Sequence, residues 1–229
     1  MISIIIPVLN EASTIEELLF HLVDNAELQN ISEIIVVDGG STDGTQEIIA
    51  QLDLNIKVLA SEKGRAKQMN AGARIARGNI LYFLHADSFP PNRYDKYIIE
   101  EVGNGNNAGC FRLQFDHNHW WLRLASWLTQ FSWRACRGGD QSQFITKALF
   151  QEIGGYDESY TIYEDNILIN ELYKRNEFVV INQKIRTSAR LYERHGIWKL
   201  QYHFWAIYVK KWFGASADDL LAYYKKYIA

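Results

Sequence analysis

Over the first ninety residues, short runs rich in β-branched side chains alternate with segments of helical periodicity. Ser3–Pro7, Glu33–Val37, Ile56–Ala60 and residues 80–84 read as strands. Between them, Ile15, Leu18, Leu19, Leu22 and Val23 recur at helical spacing behind a Ser13/Glu16 capping box. Thr45–Leu52 forms a second helix after the turn-rich segment 38–44, and Gly64–Arg77 a third, stopped at Gly78. This alternation leaves few solutions: a parallel sheet with helices on both faces. Such sheets bind ligands beyond the carboxyl ends of their strands. Those ends carry Asn10-Glu11, Asp38 and Asp87, so the topology gathers polar groups that are far apart in the chain.

The run at 80–84 is unbroken and apolar, as expected of a strand buried on both faces, and it ends in His85, Ala86 and Asp87. A carboxylate there either holds a metal ion against a phosphate or merely ends the strand as a cap. The second half is less regular. Ala108–Phe115 reads as a strand, 117–137 as one aromatic, basic, amphipathic helix, and 147–153 and 165–175 as helices. Phe178–Asn182 reads as a strand, and Ile197–Phe213 and Asp218–Tyr227 as Trp- and Tyr-rich helices.

The 229 residues suffice for one large domain, and 48% hydrophobic content supports a sizeable core. A net charge of −3 carries no polyanion-binding signature, so no nucleic-acid partner is expected. Residues 181–229 hold nine Lys/Arg against three acids, a basic tail that suits phosphate, a membrane surface or plain solvation. Cys110 and Cys136 have no metal-ligand spacing and fit a reducing compartment. The chain opens without a basic n-region or cleavage site, and no apolar run reaches roughly 18 residues. Neither a signal peptide nor a transmembrane helix is expected, and the expected location is cytoplasmic, at the inner membrane face if a membrane is met. The aromatic-basic segments fit interfacial membrane contact or, as the favoured reading, core packing or a homodimer face.

Two nucleotide motifs fail on context. Gly103–Ala108 matches GxGxxA but lies between a helix and a strand in the wrong order, and Gly39–Gly44 has P-loop spacing without the Lys. What remains is a set of acids at element boundaries: Asp38, Asp87 and Glu164-Asp165.

The ordered segments 3–11, 36–45, 63–72, His85-Ala-Asp87, Gly154-Gly-Tyr-Asp157 and Glu164-Asp165 resemble the family 2 glycosyltransferases with the GT-A fold. The resemblance spans residues 2–175 and implies an α/β fold: a GT-A-like open, mostly parallel sheet flanked by helices, with a C-terminal helical extension. It divides the chain into a nucleotide-sugar-binding half (1–110), an acceptor half (111–195) and the extension (196–229). It implies transfer of a sugar from a UDP- or GDP-linked donor to a hydroxyl acceptor, lipid-linked acceptors included, with inversion and with Mg2+ or Mn2+ as cofactor. By the same resemblance Pro7, Leu9, Glu11, Asp38 and Arg65 bind the donor and Asp87 binds the metal, with His85 as a candidate ligand; the basic run 187–195 offers Arg190 to the diphosphate and His195 to the metal, or is a plain basic surface. Asp165 is the general base, Glu164 positions the acceptor or that base, and Asp140 and Gln141 lie on the acceptor side. His85 stands where the family's Asp-X-Asp motif has its first acid. A non-catalytic nucleotide-binding scaffold on the same fold, and a nucleotidyltransferase, remain as other readings.

Overall fold

A computed structural model describes residues 1–138 and 141–228. Eight strands form one sheet: β1 (Ile2–Val8), β2 (Ile31–Asp38), β3 (Ile56–Ala60), β4 (Ile80–Phe83), β5 (Ser88–Phe89), β6 (Ala108–Phe115), β7 (Gln143–Thr146) and β8 (Val179–Thr187). Their order is β3-β2-β1-β4-β7-β6-β8-β5. The first four strands run parallel, β7 is antiparallel to β4 and β6, and β8 runs parallel to β6. The sheet is thus open and mostly parallel, as expected.

The period-2 alternation of strands decides the layers. Ile4, Ile6, Ile34, Val36 and Tyr82 pack on one face with α1 (Ile15–Asp24), α2 (Thr45–Gln51) and α4 (Tyr94–Gly103). Ile5, Ile35, Val37, Leu81 and Phe83 pack on the other with α3 (Arg65–Ile75), α6 (Lys147–Ile153) and α7 (Glu164–Lys174). Helix α3 lies so close that a Cβ on Gly72 would come 2.5 Å from Ile5 Cγ2. A third cluster joins α9 (Ile197–Trp212) and α10 (Ala217–Tyr227) to Ile162, which precedes α7, through Leu200, Ile207, Leu220 and Ile228. Two shorter helices complete the set: α5 (Trp120–Leu128) and α8 (Arg190–His195).

Several expectations are corrected. The Ser13/Glu16 capping box does not form. Helix α1 has Thr14 at its N-cap with no side-chain cap bond, and the Thr14 hydroxyl donates to the Glu11 carboxylate instead, at 3.0 Å. The helix expected over 117–137 ends at Leu128, because Thr129 turns its hydroxyl back to the Ser126 carbonyl at 2.6 Å while accepting from Leu113 N–H. Arg137, read as part of a basic face, is buried and donates to the carbonyls of Thr129 and Phe131. Strand β8 extends five residues beyond Asn182. The Trp-rich helices bury only part of their aromatic residues: Phe204, Tyr223 and Tyr224 pack on the third cluster, but Trp120, Trp127, Trp198, Trp205 and Trp212 are all at least half exposed.

One buried carboxylate ties the amino edge of the sheet together. Glu33 on β2 accepts from Ser3 Oγ at 2.6 Å and Arg77 N–H at 2.7 Å, and pairs with Lys57. Burial alone would raise its carboxyl; the bonds from Lys57, Ser3 and Arg77 outweigh that and hold it at about 2. A depressed pKa contributes stability above the unfolded value, here 4.5, and loses it as pH falls toward about 2. Glu33→Gln is therefore expected to cost about 3 kcal/mol at neutral pH. The gap from wild type should close in urea titrations carried down through that window.

Candidate functional site

The chain reverses direction across the sheet between β1 and β4: β2 and β3 lie to one side of β1, and β4 to the other. A crevice opens beyond the carboxyl ends at such a switch point. The β1–β4 pairing ends at Ile5↔Phe83, so Pro7 lies beyond it, paired only with Val37. Proline is tolerated there because β4 has already left. Leu9 follows at the rim, partly buried.

Two loops form the floor of this crevice and are laced together. Asn10, in the left-handed region at φ 58°, accepts from Thr42 N–H at 2.8 Å and donates its own N–H to Ser41 Oγ at 2.9 Å. Glu11 N–H donates to Thr45 Oγ1 at 3.0 Å, and Ala12 N–H to Asp43 at 3.0 Å. Asp38 anchors the second loop, accepting from Gly40 N–H, Ser41 N–H and Gln46 Nε2. Burial would raise its carboxyl, but the bonds from Ser41, Gln46 and Gly40 hold it below the usual carboxylate range. Asp38 therefore organises the turn, and it does so at the expected place. Asn10, Asp43 and Thr45 were missed as loop-lacing residues; the Asn-Glu pair after β1 was the available signal.

The remaining candidates fall into separate contacts. Arg190, at the start of α8, grips Glu11 with two hydrogen bonds of 2.9 and 2.7 Å and lies 3.4 Å from Asp87 Oδ2. Ser188 N–H holds the Asp87 carbonyl at 3.2 Å, which continues the antiparallel pairing of β5 with β8. His85 Nε2 stands 4.0 Å from Asp165 Oδ2. Burial, and then the Arg65 charge, pushes the His85 imidazole down to about 3, so it is neutral at physiological pH. Glu164 is fully buried and pairs with Arg65 Nε at 2.8 Å. Tyr163, in the left-handed region at φ 73°, starts α7 and places Glu164 and Asp165 in its first turn, where the helix dipole favours carboxylates. A non-glycine residue held there is the kind of strain that accompanies functional sites.

On the far side, α7 is tied to its neighbours by Asn166. Its Oδ1 accepts from Arg134 Nη2 at 2.9 Å and from the Tyr208 hydroxyl at 3.4 Å. The sequence reading passed over this role of Arg134 and Asn166. Gln141 is buried, with its Oε1 3.4 Å from Gly138 N–H. Asp140 lies outside the described residues. No group of three or more His, Cys, Asp or Glu side chains among the described residues is arranged to hold a metal, so Asp87, His85 and His195 are not brought together as one ligand set. A carboxylate at a strand end with a neutral imidazole two residues away nevertheless suits a divalent cation that draws its other ligands from water and a diphosphate.

The family model described as Glycosyl transferase family 2 matches residues 3–170. A dolichol-phosphate mannosyltransferase of Pyrococcus furiosus is 34% identical over 111 residues, covering 46% of this chain and 31% of that protein. Among solved structures, a segment of S. aureus TarS in complex with UDP superposes with a TM-score of 0.69 at 19% identity, over 82% of this chain and 60% of that one. Mannosyltransferase PcManGT from Pyrobaculum calidifontis, in complex with GDP-Man and Mn2+, gives 0.68 at 19% identity, over 90% and 59%. At these identities the two structures establish a shared fold. The chain spans 31% to 63% of the length of the first curated relatives it matches.

Proposed function

The chain belongs to glycosyl transferase family 2, and from that premise we propose that it moves a sugar from a UDP- or GDP-linked donor to a hydroxyl acceptor, with inversion and with help from a divalent cation. One observation carries this reading: Arg190 grips Glu11 and lies 3.4 Å from Asp87, two residues beyond the His85 that stands 4.0 Å from Asp165. The laced loops, with Pro7, Leu9 and Asp38, offer a preorganised bed for base and ribose. Arg190 and Arg65 suit the diphosphate, because a guanidinium matches phosphate oxygens bidentately. Asp87, and His85 as a neutral nitrogen donor, would hold the cation, which supplies positive charge beside the diphosphate; the imidazole favours Mn2+ over Mg2+. His195 would take part only after rearrangement.

Asp165 acts as general base. It takes the proton of the acceptor hydroxyl as the oxygen attacks the anomeric carbon from the face opposite the leaving group. The bond to the acceptor oxygen forms, the bond to the phosphate oxygen breaks, and its electron pair leaves with the nucleoside diphosphate. Glu164, fixed by Arg65, orients that end of α7. Gln141 and Asp140 belong to the acceptor side of the division at residue 110. A relative named for dolichol phosphate supports a lipid-linked acceptor.

A donor panel read by nucleoside-diphosphate release, with calorimetry alongside, tests the reading. Release from a UDP- or GDP-sugar, raised by Mn2+ and lost on chelation, is the expected result. Absence of binding by any nucleoside diphosphate, with or without Mn2+, would overturn it and leave a non-catalytic scaffold.

A further inference from the structure

We propose that α5 and α9 together form a docking surface for an anionic lipid bilayer. On α9, Trp198, Tyr202, Trp205, Val209 and Trp212 follow i, i+4, i+7, i+11 and i+14 spacing. At roughly 100° per residue they share an arc of about 80°. All five are between 49% and 84% exposed, while Leu200, His203 and Ile207 of the same helix are buried. Helix α5 repeats the device: Trp120, Leu124 and Trp127 are exposed at i, i+4 and i+7, and Leu122 is buried. The two stripes meet. Trp198 lies 5.7 Å from Trp120 and 5.4 Å from Trp121, ring centre to ring centre, and Trp121 donates its Nε1–H to Gln201 at 3.0 Å. The result is one continuous aromatic ridge, larger than the scattered apolar residues normal on a protein surface.

Charge selects the occupant. Neither helix contains an Asp or Glu, while α5 carries Arg123 and α9 carries Lys199; Lys210 and Lys211 turn to the rings of Tyr223 and Tyr160. Beside the ridge, between β6 and α5, lies a groove of about 540 Å3. Arg112, Arg123, Lys184 and His117 line it, Trp120 and Trp127 form part of its wall, and no carboxylate is among the described residues lining it. Arg112 sends Nη1 to Asn182, and its buried Nε has no hydrogen-bond partner among the described residues. A protein partner docked over this groove would have to meet Arg112, Arg123 and Lys184 with no carboxylate of the groove to pair them. A bilayer meets every feature: Trp and Tyr settle at the headgroup level, and Lys and Arg draw in anionic lipid phosphates. No described helix is long and apolar enough to cross a membrane, so the contact is interfacial.

Flotation of the full chain with vesicles tests this without nucleotide or acceptor, so its outcome is independent of the transfer reaction. Vesicles of phosphatidylcholine with phosphatidylglycerol should capture the protein at least about tenfold better than phosphatidylcholine alone at low salt, with the advantage shrinking as salt rises. The pair Trp127→Ser and Trp212→Ser, both at exposed positions, should lower capture about tenfold with an unchanged melting curve. The triple Arg112→Gln, Arg123→Gln, Lys184→Gln should abolish the preference for anionic lipid. Inorganic phosphate added to the vesicles should compete only weakly if the headgroup lattice is the ligand. Absence of capture at low salt, capture indifferent to both variants, or a concentration-dependent dimer that the Trp substitutions dissociate without any vesicle binding would each overturn the proposal.

Discussion

Asp87→Ala should reduce sugar transfer by about three orders of magnitude while leaving the fold intact. The side chain stands just before β5 and is about one-fifth exposed, so its loss opens no core cavity. Arg190 keeps its two bonds to Glu11 in the variant. What disappears is the carboxylate just before β5 that is proposed to hold a cation against the donor. Charge that builds on the departing diphosphate then has only arginine to meet it. Steady-state kinetics over a Mn2+ titration check this: wild type should climb with metal and fall with chelator, and the variant should stay low and flat. A variant that retains wild-type kcat and metal response would remove Asp87 from the mechanism.

Asp165→Asn should lower kcat about a thousandfold with little change in donor affinity. The asparagine keeps the shape and place of the side chain in the first turn of α7 but cannot take a proton. The proposed donor contacts come from β1, β2, α3, α8 and the loop after β4, not from Asp165, so calorimetric affinity for the nucleoside diphosphate should stay within about twofold. The pH profile supplies the second readout. His85 is held to about 3 by burial and by Arg65, so it does not titrate near neutrality. A rising limb in wild-type kcat/KM at mildly acid pH that vanishes in Asp165→Asn would therefore report the carboxylate and not the neighbouring imidazole. An unchanged profile and rate in the variant would refute the assigned base.

The first half of the molecule was legible because its signals are local. Runs such as Ile4-Ile5-Ile6 and Ile34–Val37 bury alternate side chains in opposite layers, and their ends declare where the crevice lies. The second half depends on contacts that spacing cannot show. Strand β7 is four residues long and inserts antiparallel between β4 and β6, a choice made by the sheet and not by its own sequence. Strand β8 looks too polar beyond Asn182 because one of its faces meets solvent at Lys184 and Arg186. The division at residue 110 would assign Arg190 to the acceptor half, yet its contacts are with Glu11 and Asp87 in the donor half. The pairings Arg65–Glu164 and Arg190–Glu11 join residues 99 and 179 positions apart, and only the folded chain reveals them. The exposed Trp stripes illustrate the opposite limit: their periodicity was visible, but which side of each helix faced inward was decided by packing.

The grip of Arg190 on Glu11 and Asp87 has a thermodynamic side. One guanidinium serves two carboxylates, an internal counter-ion held in place until ligands arrive. On the proposed function, an anion that draws the guanidinium away would leave Asp87 more fully charged, and a cation on Asp87 would weaken one of the two attractions that hold the guanidinium, leaving its bonds to Glu11. If both ligands bind as proposed, each would favour the other through Arg190, and linkage would make that assistance equal in both directions. Neither a hinge nor a lid is needed for a nucleoside diphosphate and a divalent ion to bind cooperatively at such a site.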